Sequence, residues 1–243
     1  MRAAAELGIS TIAIYPEHDK LSLHRFKADE AYLIGRGKGP IEAYLSIDEV
    51  IRVAKLARAD AIHPGYGFLS ENPEFAEACA AAGITFIGPK PETMRQLGNK
   101  VAARNLAISV GVPVMPATDP LPYDDDTVKR LAADIGYPVM LKASWGGGGR
   151  GMRPIESEEG LLDSVAAARR EAKAAFGNDE VYLEKLVRRA FHVEVQLLGD
   201  SHGNLVHLFE RDCSIQRRHQ KVIERAPAPY MDDETREALC NAA

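Results

Sequence analysis

The first half of the chain alternates short apolar runs with amphipathic segments, and this alternation restricts the possible folds more than any other feature. Residues 9–15 are β-branched and apolar, and they follow Gly8, a residue type that commonly ends a helix. Further strands are predicted at 61–63 and 84–87, each preceded by a predicted helix. Strands that alternate with helices at this spacing predict a parallel, doubly wound sheet.

Three helices are predicted between and after these strands. Ser46-Ile-Asp-Glu49 has the form of a capping box that opens an amphipathic helix. A second helix is predicted from Pro73 to Gly83, and a third over 100–110, ended by Gly111. A doubly wound unit normally begins with a strand, whereas this chain begins inside a helix. We therefore expect the first strand to be missing.

The second half has a different pattern, rich in strands. An apolar strand at 138–142 leads into Trp145-Gly-Gly-Gly-Gly-Arg-Gly151, and a long helix capped by Ser157 is predicted to run to about Phe176. Three extended runs follow, at 181–187, 191–198 and 205–214, and a final helix begins near Asp233. This pattern predicts a second domain of α+β type.

Composition excludes several classes of protein. The formal net charge of -5 gives no reason to expect a nucleic acid or an anionic membrane as a partner. No apolar run is long enough for a membrane span, and the first residues lack the apolar core of a signal peptide. The three scattered cysteines contain no CxxC pair, which favours a reducing compartment, the cytoplasm, over a disulfide framework or structural zinc.

The glycine run is the strongest local signal of function. Consecutive glycines allow backbone N–H groups to converge on phosphate oxygens, and Lys142 and Arg150 place cations beside them. The run is not a Walker loop, because no Gly-Lys-Ser/Thr follows, and it is not a dinucleotide fingerprint, because no helix follows. The alternative is a flexible linker or an Arg-Gly RNA-binding tail. Its position between an apolar strand and a β-like continuation disfavours that alternative.

Polar residues cluster in the three segments that follow. Glu184 and Lys185 end a strand, and His192, Glu194 and Gln196 share one face of another. Residues 216–221 contain three cations and a histidine, a set suited to a polyphosphate and an anionic co-substrate. Each cluster also has a plainer interpretation. The first could be a solvated salt bridge, the second the solvent-exposed face of a sheet, and the third a basic surface loop.

A glycine-rich turn at 63–71 follows one of the parallel strands. Ligands favour the carboxyl edge of such sheets, and the two glycines beside Tyr66 allow a flat ligand to approach closely. A packed turn with a core tyrosine is an equally good local interpretation.

Taken together, these segments resemble the biotin carboxylases of the ATP-grasp superfamily. The strings that carry the resemblance are 63–72 (HPGYGFLSEN), 86–90 (FIGPK), 98–100 (GNK), 141–144 (LKAS), 146–152 (GGGGRGM), 184–185 (EK), 192–194 (HVE), 210–214 (ERDCS) and 216–222 (QRRHQKV). Three more, at 39–49, 99–105 and 222–230, look most like the biotin carboxylase domain of pyruvate carboxylases.

The resemblance implies a fold and a domain division. The N-terminal part would be a doubly wound α/β domain over 1–97, of the kind that precedes an ATP-grasp domain, with its first strand missing. The remainder, 98–243, would be an incomplete α+β ATP-grasp domain with a mobile lid at about 114–186. The chain is thus expected to be truncated at both ends.

The resemblance also implies site residues. Lys100 and Lys142 would contact the ATP phosphates, with Lys142 also near adenine, and Lys221 would lie by bicarbonate and the transferred phosphoryl group. The other implied contacts are Gly148 and Gly149 in the loop over the phosphates; Glu184, Lys185, Leu186 and Val187 at the adenine edge; His192, Gln216 and His219 at ribose and phosphate; and Tyr66 and Gly67 beside the biotin ureido ring.

The implied reaction uses ATP, bicarbonate, Mg²⁺ or Mn²⁺, and biotin on a carrier domain. Bicarbonate attacks the γ-phosphate, and the carboxyphosphate formed delivers CO₂ to a biotin nitrogen. The implied partners are the biotin carboxyl carrier domain and a carboxyltransferase domain, in a homo-oligomeric full-length enzyme. No metal ligand is expected within the chain, because the family's metal-binding carboxylates would lie beyond Ala243. The isolated chain is therefore expected to bind ATP weakly and not to turn over.

Other functions stay open at this point. The final acceptor could be pyruvate or an acyl-CoA such as acetyl-CoA, and another ATP-grasp ligase, for example a carbamoyl phosphate synthetase, is a related alternative. A non-enzymatic nucleotide- or RNA-binding module would instead use the glycine–arginine loop and the Arg217-Arg218 patch, with a salt-dependent affinity for RNA.

Overall fold

A computed structural model of the chain describes residues 1–145, 152–217 and 220–243. The chain folds into two compact units, Met1–Leu97 and Gly98–Ala243. The helices are α1 (Arg2–Glu6), α2 (Leu23–Lys27), α3 (Pro40–Tyr44), α4 (Ile47–Leu56), α5 (Pro73–Ala81), α6 (Pro91–Gly98), α7 (Lys100–Ser109), α8 (Asp125–Ile135), α9 (Leu161–Phe176) and α10 (Asp233–Ala242). The strands are β1 (Ile12–Tyr15), β2 (Glu30–Leu33), β3 (Ala61–Ile62), β4 (Thr85–Phe86), β5 (Val139–Ala143), β6 (Arg153–Ile155), β7 (Val181–Lys185), β8 (Val193–Gly199), β9 (Leu205–Arg217) and β10 (Gln220–Arg225).

The first unit contains the predicted parallel pairing. β1 pairs with β2, and β3 pairs with β4, both in parallel. Within the described residues these strands form two separate two-stranded sheets and not one continuous sheet. β2 was not predicted, because its four residues begin with Glu30 and are too few to show a periodic apolar pattern.

The core of the first unit forms where α4 and α5 pack together. Val50 and Ala54 of α4 are buried with Phe75 and Cys79 of α5 and with Ile84. The apolar residues of α4 recur at helical spacing, so one face of this helix is buried.

The predicted capping box at the start of α4 is wrong. Ser46 is the N-cap residue of α4, but its side chain makes no capping hydrogen bond. Its hydroxyl instead accepts a hydrogen bond of 2.8 Å from Lys38 Nζ, and Glu49 pairs with Arg52 one turn along the helix. Lys38 and Arg52, both outside the four-residue box, therefore replaced the reciprocal cap.

In the second unit, α8 and α9 cover an antiparallel sheet with the order β6-β5-β7. The largest side chains of the core beneath them are Leu141, Leu161 and Leu183, all fully buried. α9 begins at Leu161 after Gly160, which has a φ of 73°, so the predicted cap at Ser157 is wrong. Gly160 turns the chain at no steric penalty, and the helix starts later than the hydroxyl pattern suggested.

A second antiparallel sheet, with the order β10-β9-β8, follows in the same unit. The extended runs predicted at 191–198 and 205–214 correspond to β8 and β9, whereas β10 was predicted only as ordered chain. α10 begins where Asp232 accepts a hydrogen bond of 2.7 Å from the Thr235 N–H, a side-chain N-cap. None of the helices in the described ranges combines the length and hydrophobicity that a bilayer span requires.

Gly35 gives a stability prediction for the first unit. Its φ is +59°, and a Cβ there would lie 2.3 Å from Cβ of buried Ala43 in α3. Gly37 has a similar φ of +77°, but a Cβ there would meet no atom within 4 Å. We expect Gly37→Ala to lower the free energy of unfolding by about 1 kcal/mol, from left-handed backbone strain alone. Gly35→Ala should lower it by about 3 kcal/mol, because overpacking is added.

Urea unfolding followed by far-UV circular dichroism measures both values. Equal losses in the two variants would contradict the close approach of residue 35 to α3.

Candidate functional site

The sheet β10-β9-β8 carries a cluster of charged side chains centred on Glu194. One carboxylate oxygen of Glu194 accepts from Arg211 of β9, and the other accepts from Lys221 of β10. The Nε2 atom of His192 lies 3.8 Å from the second oxygen. Antiparallel pairing produces this cluster, because Glu194 lies directly opposite Arg211 in the register.

Arg211 holds three polar side chains at once. Besides Glu194, it donates a hydrogen bond of 2.6 Å to Gln196 Oε1 and one of 2.9 Å to Glu224 Oε2. The predicted common face of Glu194 and Gln196 is therefore confirmed, since one guanidinium reaches both. Burial disfavours ionisation of Glu194, but the Lys221 ammonium and the Arg211 guanidinium outweigh it and lower the pKa of Glu194. Glu194 thus stays ionised and fixes both cations.

His192 and Gln216 are joined at the edge of this cluster. Gln216 Nε2 lies 2.7 Å from His192 Nδ1 and donates to the Cys213 carbonyl at 2.9 Å. With the amide nitrogen as donor, the ring proton of His192 is on Nε2, the atom that faces Glu194. The backbone holds His192 as well: its N–H donates to Ser214 Oγ at 2.8 Å, and its carbonyl accepts from the Cys213 N–H at 2.7 Å.

The opposite face of the same sheet is held by buried acids. Asp212, 2% exposed, pairs with Arg225 at 2.6 Å, and Glu210, fully buried, pairs with Arg236 of α10 at 2.9 Å. The Ser214 hydroxyl and then the Arg225 guanidinium hold the pKa of Asp212 far below its usual range. The Glu210–Arg236 pair joins α10 to the sheet and the Asp212–Arg225 pair joins β9 to β10, so one face is structural and the other presents the Glu194 cluster.

A second charged pair lies in the first sheet of the unit. Lys142 of β5 donates to Glu184 Oε1 of β7, and both side chains are mostly buried, at 22% and 23% exposure. Lys185 points elsewhere: its ammonium donates to the Gly136 carbonyl at 2.8 Å and to that of Tyr137 at 3.2 Å. The side chain of Lys185 therefore has a structural role, whereas Lys142 and Glu184 form an ion pair with each other on the face of the sheet.

The antiparallel hydrogen bonds between the end of β7 and residues 116–118 are incomplete. Ala117 lies opposite Glu184 in this pairing. Lys185 N–H donates to the Pro116 carbonyl at 2.8 Å, and Thr118 N–H donates to the Leu183 carbonyl at 2.8 Å. In an antiparallel ladder residue 116 would return a hydrogen bond to the Lys185 carbonyl. Proline has no N–H, so Pro116 leaves that carbonyl without its ladder donor. One residue further, Leu186 N–H donates to the Pro138 carbonyl at 3.1 Å, and Val187 is half exposed.

The start of α7 is joined to the end of β5. Asn99 caps α7 by accepting from the N–H groups of Val101 and Ala102, both at 2.9 Å. The Lys100 N–H donates to the Ser144 carbonyl at 3.1 Å, which ties the helix start to the end of the strand that carries Lys142. Next to Ser144, the indole N–H of Trp145 donates to Glu180 at 2.7 Å.

The remaining predicted site residues fall in two groups. Gly148, Gly149 and His219 lie outside the described residues, as do the rest of the glycine run and Arg218. Tyr66 and Gly67 belong to the first unit, in a turn where Gly65 and Gly67 both have positive φ. Tyr66 is 96% exposed, so the packed core tyrosine considered as an alternative is excluded.

Several residues that shape the site were not predicted. Arg211 and Glu224 join the Glu194 cluster, Pro116 interrupts the ladder, and Glu180 holds Trp145. The alternation of Glu210, Arg211 and Asp212 along β9 was an available signal, because it places the arginine on one face and both acids on the other. Pro116 and Glu180 had no signal, since their partners are distant in sequence.

Among the described residues, one group of side chains could offer ligand atoms to a metal ion. Glu194, Cys213 and Glu224 each offer an atom within 4.8 Å of the others. The group does not fit Mg²⁺, which requires oxygen ligands in octahedral geometry. One ligand is a thiol whose pKa is raised by burial, and Arg211 and Lys221 already hold the carboxylates.

Comparison with protein families divides the chain in two. Residues 99–243 match the family described as "Carbamoyl-phosphate synthase L chain, ATP binding domain". Residues 1–94 match "Biotin carboxylase, N-terminal domain".

Individual relatives agree with this division. The chain is 54% identical over 242 residues to a pyruvate carboxylase of Bacillus subtilis, covering all of this chain and 21% of the relative. A Rhizobium etli pyruvate carboxylase solved with acetyl coenzyme-A is 71% identical with a TM-score of 0.87, covering 99% of this chain and 22% of that one. The biotin carboxylase domain of a Hydrogenobacter thermophilus 2-oxoglutarate carboxylase, solved with MgADP and bicarbonate, is 46% identical with a TM-score of 0.89, covering 99% and 53%. The chain thus spans about a fifth of the pyruvate carboxylases and about half of the third relative.

The ion pair of buried Asp212 with Arg225 gives a pH prediction. Because the folded-state pKa of Asp212 is depressed, its stabilisation is complete above the unfolded pKa of about 3.9 and is lost as the pH falls through the lower folded value. We expect Arg225→Met to destabilise the chain at pH 7. The difference from the original chain should shrink progressively below about pH 4.

Urea unfolding at a series of pH values measures this difference. Arg188→Met is the matched control, because Arg188 pairs with Glu156 where both side chains are more than half exposed. A pH-independent loss in Arg225→Met would contradict the role of the ion pair.

Proposed function

Since the chain belongs to the ATP-grasp proteins that carry the carbamoyl-phosphate synthase L chain ATP-binding domain, we propose that it serves in the ATP-dependent carboxylation of biotin. Its homology to the biotin carboxylase region of pyruvate carboxylases supports this reaction. In this reaction a bicarbonate oxygen attacks the γ-phosphorus of ATP, ADP leaves, and carboxyphosphate forms. Carboxyphosphate then delivers CO₂ to a biotin nitrogen and releases phosphate.

The observation that carries the proposal is the Glu194 cluster on the exposed face of β8, β9 and β10. It holds the Lys221 ammonium, with the Arg211 guanidinium and His192 beside it, where negative charge would develop on a transferring phosphoryl group. A side chain fixed before the substrate arrives needs no reorganisation during the reaction. We assign Lys221 to the phosphoryl group and bicarbonate, and His192 and Gln216 to the ribose and phosphates.

The sheet β6-β5-β7 supports the nucleotide assignment. We propose that the Lys185 carbonyl, left without a ladder donor by Pro116, accepts from the adenine amino group, while Val187 and Leu186 border the ring. Lys142, adjacent to this edge, would exchange part of its pairing with Glu184 for a phosphate oxygen. Lys100, Gly148, Gly149 and His219 are assigned to the phosphates and ribose by the family resemblance, and Tyr66 and Gly67 to the biotin ring.

Magnesium would supply charge neutralisation at the phosphates when bound, and the Hydrogenobacter relative was solved with MgADP and bicarbonate. The group of Glu194, Cys213 and Glu224 does not suit this ion, so the charge stabilisation proposed for this chain comes from its cationic side chains. We also propose that 1–97 and 98–243 act as separate domains, with a lid at about 114–186. The proposed partners are a biotin carboxyl carrier domain and a carboxyltransferase domain, in a cytoplasmic homo-oligomer.

Nucleotide binding tests the first part of the proposal. Trp145, the only tryptophan of the chain, adjoins the phosphate-binding segment and should report nucleotide by a change in fluorescence. We expect Lys142→Met to weaken ATP binding by about tenfold or more, because a charge-assisted hydrogen bond to phosphate is lost. Lys129→Met, at a partly exposed position of α8, is the matched control and should bind as the original chain does. Equal affinities in the two variants would contradict the assignment of Lys142.

Catalysis is tested by grafting. The chain would replace the corresponding segment of the Rhizobium etli pyruvate carboxylase, to which it is 71% identical. We expect the graft to show bicarbonate-dependent ATP hydrolysis that free biotin stimulates. Lys221→Met should reduce this rate of hydrolysis by about 10²-fold or more, because one charged contact to the transition state is lost. Lys129→Met is again the control.

Two outcomes would count against this function. Ammonia-dependent formation of carbamoyl phosphate would favour a carbamoyl phosphate synthetase. A folded graft with no response to biotin would exclude the carboxylase assignment.

A further inference from the structure

A polar cavity in the first unit is independent of the proposed catalytic residues. It has a volume of about 440 Å³ and lies between the loop that follows β2 and the first turns of α4. Its charged and hydroxyl lining consists of Arg36, Lys38, Ser46, Asp48, Glu49 and Arg52. This volume is within the range of small-molecule sites and exceeds what a bare inorganic ion fills.

The charges that line the cavity do not cancel. Arg52 donates to both oxygens of Glu49, at 3.2 and 3.0 Å, so these two form a neutral pair. Lys38 donates only to a neutral group, the Ser46 hydroxyl at 2.8 Å. Across the described ranges, neither Lys38 nor Arg36 forms a salt bridge. Against these two cations stands one further carboxylate, that of Asp48, which leaves a net positive charge.

The backbone of the loop suits an anion as well. The loop follows the carboxyl end of β2, which pairs in parallel with β1, and ligands favour that edge of parallel sheets. Gly35 and Gly37 have φ of +59° and +77°, and successive amides in such alternating conformations form concave anion-binding surfaces. Gly35 also packs directly on Ala43 of α3, which fixes the base of the loop.

We propose that this cavity binds a sugar phosphate. The phosphate, with a charge of about -1.5 to -2 at neutral pH, would bind between Arg36 and Lys38. The Asp48 carboxylate repels a doubly charged phosphate and accepts hydrogen bonds from sugar hydroxyls, so it favours a ligand that carries a sugar beside its phosphate. Within the described ranges Arg36, Lys38 and Asp48 form no salt bridge, so the cavity offers two cations to the phosphate and one acceptor to the sugar hydroxyls.

The proposal is tested by NMR on the ¹⁵N-labelled 243-residue chain with ribose 5-phosphate as the probe at constant ionic strength. The amide signals of Gly35 and Gly37 should shift with saturation, and ribose alone should leave them unchanged. Lys38→Met and Arg36→Gln should each weaken binding by about tenfold or more, the loss expected for a hydrogen bond to a charged group. Lys55→Met, exposed in the last turn of α4 and outside the cavity, is the matched control and should bind normally.

Three outcomes would overturn the proposal. These are the absence of saturable shifts at Gly35 and Gly37, equal affinity in the original chain and both cavity variants, and inorganic phosphate binding as tightly as the sugar phosphate. Trp145 fluorescence identifies binding in the second unit, so occupation of the nucleotide site by the probe is detected separately. Arg36→Gln keeps the test decisive if Lys38→Met does not fold, because Arg36 is exposed and forms no salt bridge in the described residues.

Discussion

The carboxylate of Glu194 is shared by two cations, and the arrangement of the second sheet's polar face depends on this sharing. Arg211 takes one oxygen and Lys221 the other, so two cations lie side by side on adjacent strands without separating. Arg211 also binds Glu224, which balances its own charge. Removing a partner from such a partly buried set would leave an uncompensated charge, which is far more destabilising than an exposed pair is stabilising. The cluster therefore persists in one arrangement and presents Lys221 in a defined place.

The two faces of this sheet use the same residue types for different purposes. Glu210 and Asp212 are buried and each pairs with an arginine: Glu210 joins α10 and the segment before it to β9, and Asp212 joins β10 to β9. Arg211, between them in sequence, points to the opposite face. Alternation along one strand thus separates the structural pairs from the functional cluster. The Lys142–Glu184 pair and the ladder gap at Pro116 add a second polar edge in the same unit.

The local sequence pattern predicted much of the fold, and each prediction that was wrong or missing has a specific physical reason. α4, α5 and the strands β3, β4, β5, β7, β8 and β9 were predicted because apolar spacing is a local property that burial then preserves. The caps at Ser46 and Ser157 were wrong because Lys38 and Gly160 supplied other solutions. β2 was missed because it is four residues long, and its strand character comes mainly from pairing with β1. Resemblance, and not spacing, supplied most of the site residues.

The sequence by itself determined the strand–helix order, the segments that carry charge, and the family to which the chain belongs. These properties are local or are carried by contiguous strings. Only the tertiary structure decided which charges meet: that Arg211 joins Glu194 to Gln196 and Glu224, that Lys185 is used by the fold while Lys142 pairs with Glu184, and that Pro116 frees a carbonyl. The physical reason is that hydrogen bonds and ion pairs act over a few ångströms. Residues far apart along the chain come within that distance only when strand register and packing bring them together.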